Sequence, residues 1–159
     1  MKNKLNNSLS KTWGSLVLLL IISCSKSEFN SDIIQVKYGT SFGMCIGYCK
    51  RDIVLKSDQI TYTRSGWSDT IKTITCNENL EGDIWKSINA GMDVESFFEL
   101  PAMIGCPDCA DGGTEWIEIE LANGDSHKVI FEYHNEPKAV KGNITILRDI
   151  FGKSKDCME

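Results

Sequence analysis

From Ile33 onward the chain alternates between two hydrophobic periods, and the turn residues between them mark out the elements. Ile33-Ile34-Gln35-Val36-Lys37-Tyr38 predicts a strand with Ile34, Val36 and Tyr38 on one face, because alternate strand residues point the same way. Two β-branched runs, Asp52 to Lys56 and Gln59 to Thr63, flank a Ser57-Asp58 turn and predict a hairpin, and Thr70 to Cys76 offers a further strand. Leu80, Ile84 and Ile88 then recur at helical spacing between Asn79 and Gly91, the start and stop signals of an amphipathic helix. Asp93 to Phe98, ahead of Pro101, predicts another helical turn whose two phenylalanines plug the core.

The second half repeats the theme more plainly. Ile117, Ile119 and Leu121 alternate with Trp116, Glu118 and Glu120, and Val129, Phe131 and Tyr133 offer the return strand. A two-residue Asn123-Gly124 turn would set Ile119 against Lys128 and mix the faces. A three-residue Ala122-Asn123-Gly124 loop, with Gly124 left-handed, instead sets Ile117 opposite Val129, Ile119 opposite His127 and Glu118 opposite Lys128 on the solvent face. Val140, Ile144, Leu147 and Phe151, between Pro137 and Gly152, predict a terminal amphipathic helix. The order ββ(β)α-ββα is that of an α+β domain, an antiparallel sheet of four to five strands with two helices on one face. No linker rich in Pro or Ser divides it, so residues 33–155 are expected to form a single domain.

Ahead of this body the pattern changes. Lys2, Lys4 and Lys11 precede an apolar run, Leu16 to Ile22, and no acid occurs before Glu28. The run is too short to span a hydrocarbon core, which takes about 20 apolar residues, and it fits an export signal. Ile21-Ile22-Ser23-Cys24 resembles the bacterial lipobox, which implies cleavage after Ser23 and acylation of Cys24. Residues 1–23 are therefore expected to be a lipoprotein signal peptide and residues 24–32 a polar, lipidated tether. Several acyl chains hold a protein on a bilayer where one is marginal, so the membrane is an expected partner through the N-terminal lipid alone. Ser25 after the cysteine implies, for a Gram-negative source of the enterobacterial type, the outer membrane. Removing the signal takes three lysines and no acid away, so the net charge falls from −5 to −8. An acidic chain with no basic run outside its first eleven residues offers no phosphate-tracking surface, which excludes nucleic acid as a partner.

The chain has seven cysteines among its 159 residues. With Cys24 acylated, Cys45, Cys49, Cys76, Cys106, Cys109 and Cys157 remain, an even number in an oxidising compartment. Cys45-Ile46-Gly47-Tyr48-Cys49 and Cys106-Pro107-Asp108-Cys109 are close pairs in glycine-containing loops. Three readings stand. The pairs form structural disulfides within or between the loops, with Cys76 and Cys157 as further disulfide candidates. Alternatively the four thiolates hold zinc, since Cys-Pro-Asp-Cys resembles a zinc-knuckle turn. The third reading is a redox-active Cys106/Cys109 pair with thioredoxin-like spacing, although Asp108 and Asp111 disfavour a thiolate and a strand, not a helix, follows.

Other chemistry is sparse. His127 and His134 have opposite parity on one strand and so belong to different faces, which argues against a triad or a two-histidine metal site. The Asp108 to Glu115 stretch places Ala110 and Gly112 where a calcium loop needs ligands. Neither a phosphate-cradling glycine loop nor a nucleophile elbow is present.

The segment Gly39-Thr40-Ser41-Phe42-Gly43-Met44-Cys45-Ile46-Gly47-Tyr48-Cys49, followed by a hairpin and Phe97-Phe98-Glu99-Leu100-Pro101, resembles the DUF6438 domain, a family of uncharacterised bacterial proteins. Its members typically open with Cys-Phe-Gly-x-Cys-Pro-x-Tyr. Phe42, Gly43, Cys45 and Tyr48 match, whereas Ser41 replaces the first Cys and Ile46 the Pro, and Cys49 is added. The likeness covers about residues 32–152. It implies an exported, often lipid-anchored domain of unknown activity, here with a rewired disulfide. The expectation is a non-enzymatic cell-envelope lipoprotein that binds an unknown protein or small molecule through disulfide-stabilised loops, with no cofactor. The alternative is a thiol-redox or metal-binding envelope protein using Cys45, Cys49, Cys106 and Cys109.

Overall fold

A computed structural model of the chain describes residues 32–153. The expected signal peptide, nearly all of the tether, Cys24 and Cys157 lie outside the described residues. Seven strands run through the described residues, β1 (Ile33–Ser41), β2 (Lys50–Leu55), β3 (Gln59–Ser65), β4 (Ile74–Asn79), β5 (Met103–Ile104), β6 (Thr114–Leu121) and β7 (Ser126–Glu132). They form one sheet in the order β4-β3-β2-β1-β6-β7-β5. Three α-helices accompany it, α1 (Gly82–Ala90), α2 (Val94–Phe98) and α3 (Lys141–Lys153).

The α+β class is as expected, but the finer description needs correcting. The sheet has seven strands instead of four to five, and it is mixed, because β5 runs parallel to β7. A two-residue strand is too short to show any periodicity. The helices number three, since the turn after Asp93 is a short helix in its own right, with the Asp93 side chain accepting from the Ser96 amide. The fourth strand is Ile74–Asn79, not Thr70 to Cys76. It is an edge strand, and its exposed Asn77-Glu78-Asn79 end pairs with β3 through backbone and polar contacts, the Thr61 hydroxyl donating to Asn77 Oδ1 at 2.7 Å, which leaves no hydropathy signal. Asn79 consequently ends a strand and does not cap α1, whose N-cap is Glu81.

One face of the sheet carries the core. Val36 and Tyr38 of β1, Ile53 and Leu55 of β2, Ile60 and Tyr62 of β3, and Ile117, Ile119 and Leu121 of β6 are buried there. They join Ile88, Phe97, Val140, Ile144 and Leu147 in one cluster, so the helices cover this face. Every buried member of the cluster lies between Ile33 and Ile150. Ile34 was expected beside Val36 but stands 46% exposed, and Ile33 is buried instead. A β-bulge between Ile33 and Gln35, in the pairing with β6, shifts the alternation by one residue.

The expected hairpin register holds. Ile117 faces Val129, Ile119 faces His127 and Glu118 faces Lys128, around a three-residue loop in which Gly124 has φ +91°. The Glu118 carboxylate nevertheless takes its salt bridge from Lys37 of β1 at 2.8 Å, and Lys128 sits 3.8 Å above the Trp116 ring. In α3 the buried Asn143 donates to the Ile88 carbonyl at 2.7 Å, which ties this helix to α1.

Strand direction decides what gathers at each end. The β1–β2 loop (42–49), the β3–β4 loop (66–73), the β5–β6 loop (105–113) and the chain leaving β7 all lie at one end of the sheet. Ile33, where β1 begins, lies at the other.

Candidate functional site: a rim of two stapled loops

The two cysteine pairs, far apart in sequence, occupy neighbouring loops because β1 and β6 are adjacent and antiparallel. Cys45 is disulfide-bonded to Cys49, and Cys106 to Cys109, with 5.5 Å between the Cα atoms in each. Each loop is thus closed on itself. Cys76, half-buried on β4, is disulfide-bonded as well. With their sulfurs paired in this way, the four loop cysteines offer no thiolate to zinc. Among the described residues no group of three or more His, Cys, Asp or Glu side chains is placed to hold a metal ion.

The loops lean on each other. Asp108 Oδ1 accepts from the Gly43 amide at 3.3 Å and from the Gly113 amide at 3.2 Å, bridging loop 42–49 to loop 105–113. Gly113 has φ +86°, and a Cβ there would strike the Phe42 ring, so glycine permits both the backbone conformation and the approach. Phe42 packs edge-on against Tyr133 at 5.0 Å. Tyr133 is shared between two cavities. One, of about 310 Å³, lies against the Cys45–Cys49 staple and is walled by Phe42, Tyr48, Arg51 and Phe151. The other, of about 340 Å³, lies against Cys106 and Cys109.

A buried charge network underlies this rim. Glu115 shares strand parity with Ile117, Ile119 and Leu121, so its side chain points into the core, where it is 0% exposed. Arg148 of α3 meets it with two bonds, Nε to Oε1 at 2.8 Å and Nη2 to Oε2 at 2.7 Å. The Tyr38 hydroxyl donates to Oε1 and the His134 amide to Oε2 at 3.0 Å. Arg148 Nη2 also reaches Glu136 at 2.7 Å. Burial, then its bond to Glu115, pushes the Tyr38 phenol far above its ordinary range, so it remains a donor. The bond to Glu115 raises Arg148, which stays a cation. Burial pushes the Glu136 carboxyl up, but its bond to Arg148 and further favourable contacts leave it below the ordinary range.

The two histidines sit apart, and only His134 reaches the rim, its ring packed edge-on against Tyr133 at 4.1 Å. His127 is half-buried on β7, packed edge-on against Phe97 and tilted against Phe98, with Nε2 2.9 Å from the Leu100 carbonyl oxygen. His134 has left the strand with φ +62° and enters the network through its amide. The redox reading needs Cys106 at the N-terminus of a helix, where the sequence instead predicts a strand, and the chain forms only a single 3₁₀ turn at Cys109–Asp111, with Ala110 outside helical geometry, before β6.

Sequence reasoning missed the Glu115–Arg148–Tyr38 network, although an acid with the parity of three core residues was its signal. In comparisons with known proteins, no family model matches the chain and no curated protein sequence does either.

Proposed function

We propose that this chain is a bacterial cell-envelope lipoprotein, acylated at Cys24, whose domain binds a partner and catalyses no reaction. Its contact surface is the rim formed by the Cys45–Cys49 and Cys106–Cys109 loops. The observation that carries this reading is the bridging of the two stapled loops by Asp108 at one end of the sheet. A surface fixed before binding avoids an ordering cost of about 0.5–1.5 kcal/mol per side chain immobilised. The one fully buried carboxylate nearby, Glu115, is saturated by Arg148, Tyr38 and a backbone amide, which suits a structural floor better than an acid/base catalyst. The lipobox and the resemblance to the DUF6438 family support the envelope location. No helix among the described residues is long and apolar enough to cross a membrane.

Labelling of the chain with radioactive palmitate in a bacterial host tests the anchor, and Cys24→Ser should abolish it. Thiol counting and metal analysis on the natively purified protein test the rim. The expected result is no alkylation at Cys45, Cys49, Cys106 or Cys109 and no bound metal. The thiol-redox or metal-binding alternative draws on the exposure of both Cys106 and Cys109. Free, metal-ligated or readily exchanging thiols at those positions would favour it.

A further inference from the structure

We propose that the tip formed by the Cys45–Cys49 loop and the β3–β4 loop docks onto an anionic lipid surface. Met44, Ile46 and Trp67 would enter the headgroup boundary while Lys50, Arg51 and Lys72 meet lipid phosphates. This gives the Cys45–Cys49 half of the contact surface above its partner, extends it to the β3–β4 loop, and rests on that reading for the stapled state of the loop.

Six large hydrophobic side chains stand exposed among the described residues, and three of them are on this tip, Ile46 at 103%, Met44 at 79% and Trp67 at 54%. They are held out by construction. The Cys45–Cys49 disulfide and the Phe42 amide bond to the Cys49 carbonyl at 3.1 Å close the first loop. Trp67 Nε1 donates to the Phe42 carbonyl at 2.8 Å and fastens the second loop to it. A stapled loop cannot fold Ile46 back toward the core, so the exposure persists until something else covers it. An indole with a satisfied N–H and half of its surface exposed is suited to a membrane interface, where one end is apolar and the other wet.

Charge selects the surface. In a chain of net charge −5, residues 42–51 and 64–73 carry Lys50, Arg51, Arg64 and Lys72 against Asp69 alone. Lys50 Nζ stands over the Trp67 ring, 4.1 Å from its centroid, so a cation travels with the inserting aromatic. Asp108 of the neighbouring loop is turned onto the Gly43 and Gly113 amides, away from this role. A protruding apolar knob beside cations needs no cleft of matching shape when the partner is a bilayer, and apolar area plus attraction to anionic headgroups are the two terms that bind interfacial segments. The tip lies at the opposite end of β1 from Ile33, about 30 Å away at 3.3 Å per strand residue.

The test uses the chain from Ser25 on, which keeps the whole core and lacks both the acyl site and the Leu16 to Ile22 run. Vesicles of phosphatidylglycerol and phosphatidylethanolamine are compared with phosphatidylcholine vesicles by flotation. Quenching of tryptophan emission by brominated acyl chains reports insertion. Partitioning onto the anionic vesicles should be roughly tenfold stronger or more, as expected from about 1 kcal/mol per cation near the surface. Ile46→Asp should reduce it by about tenfold or more, and Lys50→Glu should weaken the anionic preference. Bromolipid quenching should disappear in Trp67→Ser. Circular dichroism and thiol counting on each variant establish that fold and staples are intact. Absence of binding by a folded, fully stapled protein overturns the docking and leaves the binding-module reading standing. Binding that survives Ile46→Asp and Trp67→Ser also overturns it, as does a tip that binds a protein and not lipid. Free thiols at Cys45 and Cys49 would instead bring down the earlier reading.

Discussion

Cys45–Cys49 and Cys106–Cys109 close loops of nearly equal size, with the same 5.5 Å between cysteine Cα atoms, and the two loops differ in almost everything else. The first buries Cys49 to 3% exposure, projects Met44 and Ile46 outward and has cations on its strand side. The second exposes both cysteines, carries Asp108 and Asp111, and holds three non-glycine residues, Asp108, Ala110 and Asp111, at φ between +53° and +60°. Such conformations cost on the order of 1–2 kcal/mol per residue. One covalent device therefore serves two ends. In the first loop it keeps apolar side chains out of the core, and in the second it keeps a backbone in conformations that the side chains disfavour. The second loop in turn positions Asp108, the group that braces the first.

The largest way to break this comparison is to remove the floor beneath both loops. Arg148→Ala leaves the Glu115 carboxylate buried without its bidentate partner and should cost about 3–5 kcal/mol in urea unfolding, with both loops loosened together. Next is the joint between them. Gly113→Ala forces φ +86° on a residue with a Cβ and drives it into Phe42, which should cost about 2–4 kcal/mol and abolish the Phe42–Tyr133 ring-current shifts in NMR spectra.

The staples themselves separate the loops. Loop entropy gives each about 2 kcal/mol. Cys45→Ala with Cys49→Ala should reach that figure or exceed it, because Cys49 is packed in the interior. Cys106→Ala with Cys109→Ala should fall short by about 1 kcal/mol, since releasing the loop relieves its left-handed residues. Both staples should resist a mild thiol reductant, and a rising concentration of a strong one should open Cys106–Cys109 before Cys45–Cys49, because both of its cysteines are exposed.

The smallest effect is one of pH. Glu132 accepts from the Cys106 amide at 2.8 Å and from Asn135 at 2.9 Å, and these bonds hold its carboxyl below the ordinary range. A folded value below the unfolded one, about 4.3, means that the contribution is whole at neutral pH. It fades as pH falls through the lowered folded value. Glu132→Gln should flatten that acid limb in urea midpoints and change little at neutrality.

Local features were legible in the sequence. Gly124 and the parity of Ile117 and Val129 defined the β6–β7 register, and the spacing of Val140, Ile144 and Leu147 defined α3. Ile34 was misplaced because a bulge shifts the alternation without altering composition. For β5, two residues carry no period. The rim was legible only as two cysteine pairs. That the loops meet depends on β1 pairing with β6, a contact across more than seventy residues that no local pattern encodes. Glu115 was readable in principle, as a charged residue in a core register, but its partner Arg148 lies on a helix thirty-three residues away.

A double-mutant cycle between Phe42 of the first loop and Asp108 of the second, using Phe42→Ala and Asp108→Ala singly and together, measures most directly whether the two stapled loops form one surface. The expected coupling is about 0.5–3 kcal/mol, the range for residues that share contacts. Additive losses, with no coupling beyond error, would contradict it and leave two separate loops.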